Sequence, residues 1–262
     1  MNFLKDFFKC LINPDIWVFN SHKKIILKYK DTVIGPFWNV VNSIFLITIL
    51  SFSFFIFLNP ENFKDFIYRL SISVFFWIFI STFLNESTAI LENKRTILNE
   101  KRIDIKNFVC ENIYTHFIIF LHSFPVILIL FFISDFKLQF NIILTFLGLF
   151  LVLSNLILIG YLITILSVIY KDIKKIVENL VYAIFFATPI IWSENMVEEK
   201  IQELLVFNPF YHFIVLFRNP LMNNIDEKFY QSLLICSLLM IIVFFLNLRI
   251  YKNFEKKIIL YL

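Results

Sequence analysis

The sequence predicts an all-α integral membrane protein with six transmembrane helices, an N-terminal amphipathic interface helix, and short re-entrant or gate helices between spans five and six. Three observations carry this expectation. Hydrophobic residues make up 59% of the chain and charged residues only 17%, where soluble domains carry about 25%. Mean hydropathy is +0.78. Apolar runs long enough to cross ~30 Å of hydrocarbon, about 20 helical residues, recur along the chain. The 36 Phe and only 3 Gly fit an AT-rich genome, so aromatic richness alone carries no argument.

Residues 1–36 form the N-terminal cytosolic segment. The apolar character of residues 1–11 is broken by Lys5, Asp6 and Lys9, and no small-residue cleavage site follows, so a retained first span is expected rather than a signal peptide. Residues 27–38, LKYKDTVIGPFW, run from a basic amphipathic stretch into the first apolar run. Lys28, Tyr29 and Lys30 suit a membrane surface, Gly35 and Pro36 punctuate the helix, and Phe37 and Trp38 can anchor at the headgroup boundary. Residues 37–262 form the membrane domain, with spans over 37–58, 66–91, 108–133, 140–170, 177–192 and 229–250. An inner coupling loop covers 92–107, and short gate helices cover 194–220. The apolar patch at 201–217 is divided by Asn208-Pro209 into halves too short to span, which points to a broken or re-entrant pair.

Charge orients this frame. With six spans and a cytoplasmic N-terminus, only Lys64, Arg69, Lys137, Lys200, Arg218 and Lys228 fall outside, and every other basic residue falls inside. A seventh span would move the C-terminal cluster of Arg249, Lys252, Lys256 and Lys257 outside and weaken that asymmetry. Both termini are therefore expected in the cytoplasm. The net charge of +4 matches attraction to anionic inner-leaflet lipids and implies no nucleic acid.

Several function classes are disfavoured. With Gly35, Gly148 and Gly160 as the only glycines, no phosphate-binding P-loop can form, and the polar remainder leaves no room for an ATPase. No carboxylate sits near a membrane midplane; Arg69, Glu86, Glu111 and Glu178 all lie near span ends, which argues against coupling to an ion gradient. His116 and His122, six residues apart, point roughly 120° from one another on a helix and read as packing residues rather than joint metal ligands. Cys10, Cys110 and Cys236 read as separate small apolar residues. Glu194, Glu198, Glu199 and Glu203 read as the polar face of a short surface helix rather than a catalytic cluster. No catalytic, metal-ligating or cofactor-binding residues are therefore expected in this chain. The loop ENKRTILNEKRIDIKN at 92–107 sets Ile97, Leu98, Ile103 and Ile105 among charges, which suits either a helix seated in a partner's groove or a solvated loop.

Four segments together resemble the permease subunit of type-2 ABC exporters, specifically the branch that exports O-antigen, capsule or teichoic acid. They are LKYKDTVIGPFW at 27–38, SVIYKDIKKI at 167–176, TPIIW at 188–192 and NPFYHFIVLFRNPL at 208–221. The resemblance implies a homodimer in the bacterial cytoplasmic (inner) membrane, with two copies of a separate ABC ATPase subunit that carries ATP and magnesium. The substrate would be an undecaprenyl-linked polysaccharide. It also implies roles. Glu92, Lys94, Arg95, Ile97, Leu98 and Lys101 would couple to the ATPase. Residues 25–31 would form the interface helix, with Gly35, Pro36 and Trp38 at its elbow, and Lys171 and Asp172 would form an inner turn. Residues 196–204 and 209–217 would form the outer gate. Tyr161, Tyr182, Trp192, Pro209 and Tyr211 would line or gate a glycan conduit. Two departures stand out: Lys171 replaces a family arginine, and no proline occurs between Pro60 and Pro125. The rival readings are an ATP-independent lipid or glycolipid flippase and a membrane-embedded glycan-modifying enzyme.

Overall fold

The computed structural model describes residue 10 and residues 12–58, 63–94, 105–133 and 141–254. Among these residues every regular element is helical. We number the helices α1 (Asp15–Lys28), α2 (Trp38–Leu58), α3 (Phe63–Ser87), α4 (Ile90–Asn93), α5 (Ile105–Leu121), α6 (Phe124–Ile133), α7 (Ile142–Ile169), α8 (Asp172–Ala187), α9 (Glu199–Leu205), α10 (Pro209–Leu221) and α11 (Glu227–Phe254). Five segments are long and apolar enough to cross a membrane: Gly35–Ile56, Phe63–Ser87, Ile105–Ile133, Ile143–Ile169 and Glu227–Tyr251. Where the fifth span is expected, at 177–192, the chain forms the 16-residue α8. It ends at Ala187 because Pro189 restricts Thr188 to an extended conformation, ψ 139°.

The expected third span is two helices in line. Pro125 lacks an N–H and would clash with the carbonyl four residues back, so α5 stops at Leu121 and α6 begins at Phe124. The Ser123 hydroxyl donates to the Phe120 carbonyl at 2.6 Å and covers part of the break.

The expected interface helix at 25–31 is displaced toward the N-terminus. α1 covers 15–28, Tyr29 caps it, and Lys30 and Asp31 lie in a turn where Asp31 has φ 66°. The Thr32 hydroxyl donates to the Tyr29 carbonyl at 2.7 Å and stabilises that turn. Gly35 follows at φ 62°, where glycine alone is unstrained, and a 3-10 turn over Gly35–Phe37 leads into α2. Asn39 Nδ2 donates to the Tyr29 hydroxyl and to the Pro36 carbonyl, closing the elbow.

α3 is the central helix, packed against α2, α5, α6, α7, α8 and α10. Its Phe76 stacks on Phe217 of α10 at 4.2 Å, and Phe120 of α5 lies 5.7 Å from Phe217. Lipid is as apolar as these rings, so their association rests on close packing and ring geometry rather than on escape from water. Gly148 lets α7 touch α10, since a Cβ there would sit 2.4 Å from the Leu216 carbonyl oxygen. Polar side chains bind helices across the apolar interior: Asn155 donates to the Cys236 carbonyl at 3.1 Å, and Asn247 to the Leu158 carbonyl at 2.9 Å. The chain crosses back and forth, which puts α1, α4 and the start of α5 at one end of the bundle, here called the α1 end. α9 and α10 lie toward the opposite end, where Lys228 at the start of α11 pairs with Glu194.

Candidate functional site

Two polar assemblies stand out, one at each end of the bundle. At the α1 end, α1 buries only Ser21 and Ile25 and rests against α5. Trp17 meets Tyr114 edge-on at 5.3 Å, and the Ser21 hydroxyl donates to the Glu111 carbonyl at 3.0 Å. Lys24 Nζ donates to Glu86 Oε2 at 2.8 Å, and His116 Nε2 lies 2.7 Å from the same oxygen. Lys94, which caps α4, pairs with Glu111 at 2.7 Å. Behind them, Asn112 donates to the Ser87 hydroxyl at 3.1 Å and Thr164 to the Ser87 carbonyl at 3.0 Å. Lys106 is buried 4.5 Å from the Tyr251 ring centroid, joining the start of α5 to α11.

Of the predicted coupling residues, Glu92 is exposed on α4 and Lys94 is half-buried on Glu111. Arg95, Ile97, Leu98 and Lys101 lie outside the described residues. Lys28, Lys30 and Trp38 are exposed, and Tyr29, Gly35 and Pro36 are half-buried. Lys171 and Asp172 are exposed at the start of α8. His116, read as a packing residue, is part of the Glu86 cluster, and neither Lys24 nor Glu86 was singled out by spacing. Cys10 and Cys110, read as isolated, bring their sulfurs within 3.3 Å.

At the opposite end, Asn208 caps α10 by accepting from the Phe210 and Tyr211 amides, with Pro209 at the first helical position. The Asn208 amide also donates to Thr188 at 2.9 Å, tying the cap to the end of α8. α10, expected as a gate helix on the outer side, has residues 211–220 buried among α3, α7 and α11. Two arginines hold the segment after α8. Arg69 donates to the Trp192 and Ile191 carbonyls at 2.8 and 3.3 Å, and Arg218 to the Pro189 carbonyl at 2.7 Å. Glu194 is not on an exposed helix face. It is largely buried, pairs with Lys228 at 2.5 Å and lies 3.9 Å from Arg218. Glu198, Glu199 and Glu203 are exposed, as the surface-helix reading expects.

Burial pushes the Tyr211 hydroxyl above its ordinary range, and nearby Glu194 adds to the shift. Burial also moves the His212 imidazole below its ordinary value, opposed by its bond to the Val206 carbonyl and by Glu194. Among the predicted conduit residues, Tyr161 and Tyr211 are buried within the chain, Pro209 and Trp192 are half-buried, and Tyr182 is 71% exposed. A cavity of about 370 Å³ between α2, α3 and α6 is lined by none of these five. Among the described residues, no group of three His, Cys, Asp or Glu side chains could hold a metal ion.

The ABC-2 type transporter family profile matches residues 17–222, which include all but the first two residues of α1, the elbow, both polar assemblies' acidic residues and α10. Two proteins of Klebsiella pneumoniae, both named O-antigen export system permease protein RfbA, are each 23% identical, over 84% of this chain and 85% of their own lengths. A Myxococcus xanthus protein of the same name is 22% identical over 71% of this chain and 72% of its own. The chain belongs to the ABC-2 type transporter family, as a multi-pass membrane permease subunit rather than an enzyme, of a kind that works with an ABC ATPase.

Proposed function

We propose that this protein is the transmembrane subunit of an ATP-driven exporter of lipid-linked polysaccharide, with O-antigen the foremost candidate and an undecaprenyl carrier. It works as a homodimer beneath which two copies of a separate ABC ATPase carry ATP and magnesium. It resides in the bacterial cytoplasmic membrane with both termini and the α1 end in the cytoplasm. The observation that supports this most directly is the polar assembly at the α1 end. There a surface helix and both flanks of loop 92–107 are tied together by Lys24–Glu86–His116 and Lys94–Glu111. A loop held this firmly at its base can receive a push from a subunit docked below and pass it to three helices. Within that reading Glu92, Lys94, Arg95, Ile97, Leu98 and Lys101 contact the ATPase. Lys28 and Lys30 meet the headgroups, and the exposed Tyr182 faces the conduit with Trp192 near its mouth. A glycan is met by aromatic faces and hydroxyls and needs no buried ion in its path.

The test is purification with native partners followed by reconstitution. A P-loop ATPase is expected to copurify, and export of lipid-linked glycan into proteoliposomes is expected only with hydrolysable ATP. Deleting the gene is expected to leave glycan at the cytoplasmic face. Export by the purified permease alone would overturn the ATP-driven reading in favour of a free-standing flippase. Loss of glycan modification with normal export after Glu198→Gln would favour an enzyme.

A further inference from the structure

α1 has a thin apolar seat. It buries only Ser21 and Ile25, while Ile16, Phe19, Ile26 and Leu27 stay exposed. Packing on α5, with Trp17 and His22 against Tyr114, sets where the helix lies, and directional bonds fix its register. Two run in parallel. The first passes from Lys24 to Glu86 Oε2 at the end of α3, and on to His116 of α5 at the same oxygen. The second passes from Ser21 to the Glu111 carbonyl, and from the Glu111 carboxylate to Lys94. Lys94 is the last described residue before residues 95–104, and Ile105 begins α5 on their other side.

Lys24 and Glu86 side chains are 37% and 35% exposed, whereas His116 and Glu111 are 6% and 4% exposed. An ion pair that exposed adds little to stability. Its geometric effect is larger, because one carboxylate oxygen is held by groups from two other helices. The packing around it closes the circuit: α1 on α5, α5 on α3 and α4, and Ser87 bonded to Asn112 of α5 and by its carbonyl to Thr164 of α7.

We propose that Glu86 is a positioning residue. It fixes the surface helix α1 to the flanks of loop 92–107, so that α1, the end of α3 and the start of α5 move as one body when that loop is displaced. The inference deepens the ATP-driven reading and rests on it for the source of the displacement. Glu86 touches no substrate; it acts by keeping Lys24, and hence α1, in register with the loop.

The test uses the full permease–ATPase complex in proteoliposomes, with spin labels at Phe19 on α1 and Asn93 on α4, both exposed and outside the bonded set. The three native cysteines are replaced, and labelled chains are diluted with unlabelled ones. In the otherwise unaltered protein the Phe19–Asn93 distance is expected to be narrow, and the same with and without trapped nucleotide. Lys24→Met is expected to broaden it and lower glycan exported per ATP hydrolysed by about fivefold or more, the low end for coupling between sites. Lys24→Arg is expected to preserve both. A distance that shifts with nucleotide in the unaltered protein would overturn the proposal, as would a Lys24→Met variant with narrow distance and unchanged export per ATP. So would parallel loss of hydrolysis and export at constant distance, which marks a purely structural pair. Export without any ATPase would defeat the ATP-driven reading instead, and the distance measurements would still decide whether α1 is tied.

Discussion

His212 illustrates how one residue on α10 carries a condition-dependent role. Its Nε2 lies 2.9 Å from the Val206 carbonyl, which only accepts, so that nitrogen carries a proton. Its Nδ1 lies 2.9 Å from the Ser232 hydroxyl; in the neutral ring Nδ1 is an acceptor and shares that hydroxyl's single proton with the Lys228 carbonyl 2.7 Å away. Burial favours that neutral form and holds the group below its ordinary value near 6.5. The sign of the linkage follows. Because the unfolded chain binds the proton more readily, the stabilising contribution is fully present above pH ~6.5 and is lost as pH falls below it. Thermal unfolding in detergent is therefore expected to show a lower midpoint at pH ~5.5 than at pH ~7.5, and His212→Asn is expected to shrink that difference. An unchanged difference in the variant would assign the effect to another group.

At the scale of elements, α7 meets the backbone of α10 at Gly148. A Cβ on Gly148 would lie 2.4 Å from the Leu216 oxygen and 3.1 Å from the Leu216 Cβ. Backbone cannot rotate aside as a side chain can, so Gly148→Ala must push α10 off α7. Overpacking of this kind costs about 1–3 kcal/mol, and it also loosens the Phe76–Phe217 stack. A lower unfolding midpoint is expected, whereas Gly35→Ala, with nothing within 4 Å of its Cβ, strains only the elbow through its φ of 62°. How much of this was legible depended on distance along the chain. Asn208-Pro209 was readable because a cap and a first-turn proline act within three residues. Pro125 marks the α5–α6 break just as locally, but the apolar run across it hid the break in a single expected span. The burial of Tyr211, His212, Arg218 and Asn219 on α10 could not be read locally, because the partners of His212 and Arg218 come from α11 and from the segment between α8 and α9. Glu86, Glu194 and the Cys10–Cys110 approach were equally illegible. Each depends on residues 30 or more positions away.

For the whole molecule, the outer surface poses a problem that α8 makes acute. Its 16 residues extend only about 24 Å, less than the ~30 Å hydrocarbon layer. One face exposes Lys175, Asn179, Tyr182 and Phe186, a run of positions three or four apart that mixes charge, amide and aromatic groups. Lipid would leave these polar groups without partners, a cost of several kcal/mol for each unsatisfied group in hydrocarbon. α2 and α11, by contrast, expose Phe45, Phe52, Leu238 and Phe245, side chains that lipid accommodates without penalty. The face of α8 is therefore expected to meet a second copy of the chain or the water between two copies, and α2 and α11 supply the lipid-facing wall. Proximity across a two-fold axis is self-complementary, so one position can report on it. In a background lacking native cysteines, Tyr182→Cys is expected to cross-link two chains under mild oxidation in membranes. Leu238→Cys, on the exposed face of α11, is expected to stay monomeric on the same gel. Cross-linking through Leu238 and none through Tyr182 would place α11 at the contact and leave the polar face of α8 without a partner.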